Sequence, residues 1–100
     1  MDQYESYYSF FADILKIIKD IKLDFDESGI SGADFDARYK TFLHRLIQRC
    51  KKFNDMSFCG KSDIVSSYIS SVSDTVNLAQ NIRFDMLMKT TDKFMRRCMG

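Results

Sequence analysis

Four sets of side chains in this 100-residue chain are candidates for chemistry. Asp24, Asp26 and Ser28 alternate and run into Gly29. With Asp34 they offer oxygen donors of the kind a hard cation such as Ca²⁺ prefers. Arg38, Arg45, Arg49 and Lys52 are spaced 7, 4 and 3 residues apart, with Lys40 and Lys51 nearby. That spacing puts four cations on one helix face, where they could hold phosphates or carboxylates. Arg38 also precedes the lone His44. Such a pair combines a fixed positive charge with a general acid or base. Met88, Met95 and Met99 cluster near the end of the chain with Met86, and methionine is common at adaptable binding surfaces.

Two of these sets resemble known families. Asp24, Asp26, Ser28 and Gly29 resemble the first half of an EF-hand calcium loop, with Ile30, Asp34 and Phe35 like its second half if one residue is deleted. The resemblance implies a calcium-responsive protein with Asp24, Asp26, Ser28 and Asp34 as ligands. The competing reading is an acidic helix–helix connection with glycine turns and an N-cap. Arg38 and His44, separated by five residues, resemble the Arg…His signature of HEPN-type ribonucleases, which are all-helical. That resemblance implies His44 as acid or base and Arg38 as the phosphate-stabilising cation. Six residues along a helix put the two 240° apart, so they converge only through a bend or a second copy.

The bulk composition favours a folded globular protein, and one histidine with no nucleophile elbow and no paired metal ligands leaves few groups for catalysis. Apolar residues make up 45% and charged residues 29%, which excludes a disordered tail, and the absence of proline excludes a Pro-rich fibre. The net charge of +1 gives no general attraction to nucleic acid or to an anionic membrane. The charge is unevenly placed. Residues 1–33 carry three lysines against seven acids, residues 34–61 seven bases against three acids, and residues 62–100 five against four. An acidic first third and a basic middle are complementary surfaces, able to meet within one chain or between copies. The three cysteines, Cys50, Cys59 and Cys98, have neither the number nor the spacing of a disulfide or zinc scaffold, and suit a reducing cytoplasm. The opening residues have no basic region or apolar run of a secretory signal, and no stretch reaches membrane-spanning length.

These candidates must be positioned by helices. Glycines at 29, 32 and 60 divide the chain into segments 2–25, 33–56 and 62–98, each with helical periodicity. The first has two apolar rows, Tyr4, Tyr8, Phe11, Leu15, Ile18 and Tyr7, Phe10, Ile14, Ile17, Ile21, predicting burial on two sides. In the second, Phe35, Tyr39, Phe42, Leu46, Cys50 and Phe53 form the apolar face, Ser31 and Asp34 mark the start, and Lys51 and Lys52 suit the last turn. In the third, Val65, Tyr68, Val72, Val76, Ala79, Ile82 and Met86 keep step, which puts Met86 in the core and leaves Met88, Met95 and Met99 for a partner. Unbroken, that segment would span about 54 Å and overhang its neighbours. Either the helix breaks or the overhang meets a partner. The Ser/Thr/Asp-rich stretch 66–75 has mediocre helix propensity, and a break near Ser73-Asp74 would give four helices.

The sequence therefore predicts one all-α domain over residues 1–100. It is a three-helix bundle with a long C-terminal helix, or four helices if that helix breaks near residue 73. The expected function is a cytoplasmic protein-binding module without catalysis or cofactor: an assembly subunit, an adaptor or an inhibitor of a larger complex. Arg38, Arg45, Arg49, Lys52, Met88, Met95 and Met99 would meet another protein or a second copy. The alternatives are the calcium-responsive protein and a nucleic-acid binder or ribonuclease using the basic face.

Overall fold

Four helices and no strands make up the described residues, 3–56 and 63–98, of the computed structural model. Met99 and the connection 57–62, with Phe58, Cys59 and Gly60, lie outside them. Helix α1 is Gln3–Ser28 and α2 is Gly32–Met56. The third segment breaks where its helix propensity is poorest: α3 is Asp63–Ser73, a 3-10 turn covers Asp74–Asn77, and α4 is Gln80–Arg97. The folded chain is 43 Å long, matching α1 at about 39 Å, so no helix overhangs.

The first turn is shorter than the sequence predicts. Nothing in Asp24–Ser28 breaks a helix, and α1 continues until Gly29 takes a left-handed φ of 64°. Gly32, with φ of 61°, makes the second bend. The connection is then Gly29, Ile30 and Ser31, and the Phe35 amide donates to the Ser31 carbonyl at 3.4 Å, which puts Ser31 at the N-cap position. At its other end α2 runs a turn beyond Lys51 and Lys52, so its last turn holds no basic residue.

Ring contacts give the topology. Phe10 stacks on Phe53 with centroids 4.1 Å apart and Phe25 meets Phe35 edge-on at 5.1 Å, so α1 and α2 are antiparallel. Phe11 meets Phe94 at 6.0 Å and Phe25 meets Phe84 at 5.0 Å, so α1 and α4 are antiparallel too. The α1 backbone runs closest to α4, whereas α1 and α2 stay further apart and are bridged by aromatic side chains. The α1 rows merge into one broad stripe instead of covering two sides. Tyr7, Phe11, Ile14, Ile18 and Phe25 are buried, with Tyr8, Phe10 and Ile21 half-buried beside them.

The 3-10 turn resets the helical phase, and this overturns the expected face of the last helix. Its buried residues are Arg83, Phe84, Leu87, Thr91 and Phe94. Met86, expected in the core, is 39% exposed, and Ile82 is exposed as well. Met88 and Met95, expected to be left for a partner, are half-buried against the core.

Two buried tyrosine–threonine pairs fix the second half of the molecule. The Thr91 hydroxyl donates to the Leu87 carbonyl at 2.8 Å, so the Tyr68 hydroxyl 2.7 Å away must donate to Thr91. The Thr75 hydroxyl likewise donates to the Val72 carbonyl at 2.6 Å and accepts from Tyr39 at 2.5 Å. These bonds tie α3 to α4 and α2 to the 3-10 turn. Burial pushes both phenols above their usual range, and it pushes the Cys50 thiol up to about 12, so all three groups stay protonated near neutral pH.

The N-terminal ends of α2 and α4 are clamped by Arg83. Its Nη1 donates to Asp36 Oδ1 at 2.6 Å, its Nε donates to the Leu78 carbonyl at 2.9 Å, and its guanidinium lies 5.4 Å from the Tyr39 ring centroid. Gln80 Nε2 adds bonds to Asp36 Oδ1 at 3.1 Å and the Gly32 carbonyl at 3.0 Å. The hydrogen bond from Arg83, helped by that from Gln80, lowers the Asp36 pKa from its ordinary 3.8. A carboxyl that titrates lower folded than unfolded adds stability above its unfolded pKa and loses it as pH falls through the folded one. Thermal melts should therefore show Asp36→Asn less stable than the native chain at neutral pH, with the gap shrinking in acid below the ordinary aspartate range. A gap that stays constant into acid would show that the ion pair is not its source.

Candidate functional site

Separation of α1 and α2 leaves an open groove of about 300 Å³ between them. Ile21 and Phe25 come from α1, and Ala37, Arg38, Thr41, Phe42 and Arg45 from α2. Aromatic contacts brace both ends of the helix pair: Phe10 on Phe53 at one, Phe25 against Phe35 at the other. Phe42 is supported from below by Phe84, with centroids 6.3 Å apart. Thr41 turns its hydroxyl back to the Ala37 carbonyl at 3.0 Å, which leaves its methyl group available to the groove.

The basic stripe borders this groove. Arg38, Arg45, Arg49 and Lys52 are all exposed, and none pairs with a carboxylate among the described residues. Arg38 and Arg45 line the groove itself. At 100° per residue the four cations fall within about 60° of each other on α2. Unpaired cations beside an apolar floor form a surface that favours an acidic, amphipathic ligand. The acidic helix of the same chain does not neutralise them. The ion pairs among the described residues join Lys22 to Asp26, Arg83 to Asp36 and Arg96 to Asp92, and none of them links α1 to α2.

The other sequence candidates are not brought together. Asp24, Asp26 and Ser28 lie in the last turns of α1, where alternate residues point about 200° apart, and Asp34 is in the first turn of α2. Among the described residues, no three His, Cys, Asp or Glu side chains are placed to hold a metal ion. Arg38 and His44 are both exposed and diverge around α2, and His44 Nε2 is 3.0 Å from Gln48 Nε2 on its own helix. No described helix is long and apolar enough to cross a membrane.

The groove floor was not apparent from the sequence as a site. Phe25 falls outside both α1 rows, and its one sequence signal is its spacing of 7 from Ile18 and 4 from Ile21. Comparison with known proteins adds no constraint, because no family model, curated protein or solved structure matches the chain.

Proposed function

We propose that this chain is a non-catalytic protein-binding module whose α1–α2 groove receives an acidic amphipathic helix of another polypeptide. The observation that carries this reading is the pairing of a groove floored by Ile21, Phe25 and Phe42 with the unpaired Arg38 and Arg45. A nucleic acid would use the cations but has no need of the apolar floor. A helix with one large apolar residue between two carboxylates uses both.

The energetics set the size of the partner. Burying one leucine-sized side chain contributes about 2 kcal/mol. Each exposed ion pair at the rim adds about 0.5 kcal/mol. Together these make a weak contact, so a tight partner must extend along α2 past Arg49 and Lys52.

A synthetic helical peptide with a leucine flanked by glutamates, titrated into the labelled protein, tests the reading by NMR. It should shift the amides of Ile21, Phe25, Phe42, Arg38 and Arg45. The Arg38→Glu/Arg45→Glu variant should bind roughly tenfold or more weakly. Shifts elsewhere, or tighter binding of a duplex oligonucleotide with a steep salt dependence, would replace this reading with another.

A further inference from the structure

We infer that a second copy of this chain supplies the acidic helix: the outer ridge of its α1 docks in the groove, with Leu23 entering between Arg38 and Arg45 while Asp20 and Glu27 pair with them. This inference rests on the groove reading above and names its occupant.

Leu23 is 56% exposed, more than Ile82 at 41% or Met86 at 39%. It belongs to neither apolar row of α1, and its neighbours one helical turn away are Lys19 and Asp20 before it and Asp26 and Glu27 after it. Of these, Asp20 and Glu27 lie together on one flank of Leu23, and Lys19 and Asp26 on the other. Asp20 and Glu27 are exposed and in no ion pair among the described residues, whereas Asp26 is engaged by Lys22 at 3.7 Å. The spacing matches the groove. Asp20 and Glu27 are seven residues apart on α1, and Arg38 and Arg45 are seven apart on α2. Both intervals are about 10.5 Å along a helix, with the apolar element between the charges in each case. Ridge and groove therefore agree in length, order and sign.

Within one chain the two cannot meet. Leu23 lies two residues from both Ile21 and Phe25, hence about 200° around α1 from the side chains that line the groove. Ridge and groove occupy different faces, so each copy can donate a ridge and receive one at the same time. Such a contact is head-to-tail, and it extends beyond a dimer unless the rotation closes a ring. The contact is small and charge-dependent, so the association is weak, on the order of millimolar, and loosened by salt.

Sedimentation velocity at low salt, from micromolar to millimolar chain, is the test. The native protein should show an average mass that rises with concentration past that of a dimer. Leu23→Ala, Arg38→Glu/Arg45→Glu and Asp20→Arg/Glu27→Arg should each remain monomeric, with circular dichroism confirming unchanged helix content. Mixing the last two variants should restore association, because each then presents the charge that the other lacks. A native chain that stays monomeric, or an association indifferent to Leu23→Ala, or a mixture that fails to associate, overturns the inference. If the native chain is monomeric but the acidic peptide still lands in the groove, the binding-module reading stands with a different partner. If the peptide fails as well, both readings fall.

Discussion

Phe84→Ala should lose about 3–5 kcal/mol of folding stability, measured by urea denaturation at 25 °C. Phe84 is 5% exposed and sits where three helices meet. Its ring centroid lies 5.0 Å from Phe25 on α1, and 5.3, 6.0 and 6.3 Å from Tyr39, Phe35 and Phe42 on α2. Truncation removes a large apolar side chain, and the four rings facing it are pinned by their own helices and cannot collapse into the space. A domain of this size has about 5–15 kcal/mol in total, so the variant would retain little reserve. The damage should reach the groove as well, since Phe42 and Phe25 both lean on Phe84. Met86→Ala, on the exposed side of the same helix, is the matched control and should cost less than about 0.5 kcal/mol. A Phe84→Ala loss no larger than the control's would mean that this ring is not packed as described.

Phe84 also shows where periodicity stops being informative. An apolar row read through residues 62–98 assumes one uninterrupted helix. The four-residue 3-10 turn and the extended Leu78 that follows it shift the phase, so the buried row restarts at Arg83 and Phe84 rather than at Ile82. The position of the break itself was readable, because Ser and Asp near residue 73 compete with the backbone for hydrogen bonds. What the break does to the next helix depends on the turn's geometry, which no local propensity encodes. Arg83 is the clearest case. A charged residue would be assigned to the surface, yet it is 7% exposed because Asp36, the Leu78 carbonyl and two aromatic rings satisfy it.

The candidate site divides along the same line. The basic stripe on α2 was legible, since it follows from the spacing of four cations on one unbroken helix. The groove beside it was not. Its existence depends on α1 packing closer to α4 than to its sequence neighbour α2, a choice among tertiary contacts. The acidic and basic thirds were legible as complementary, but whether they neutralise each other inside one chain depends on which way each face points. In this fold they point apart, which leaves both available.

The last prediction concerns a residue whose role was invisible in the sequence, Thr91. It occupies a buried position in the row Leu87, Thr91, Phe94 and Cys98, and is fully buried although polar. Thr91→Val keeps the shape but leaves the Tyr68 hydroxyl, itself fully buried, with no acceptor. An unsatisfied buried donor costs about 1–3 kcal/mol. Tyr68→Phe is milder, about 1 kcal/mol, because the Thr91 hydroxyl still donates to the Leu87 carbonyl. The donor direction sets this order, and reversing it would reverse the expectation. The double variant should lose less than the sum of the two, because once the phenol is gone Thr91→Val strands nothing. Urea denaturation of all four proteins checks the cycle. Burial holds the Tyr68 phenol protonated well above the usual tyrosine range, so the coupling should stay constant from neutral to mildly alkaline pH. If the two losses simply add, or Tyr68→Phe is the more damaging, the hydroxyl network does not join α3 to α4 in the direction assigned.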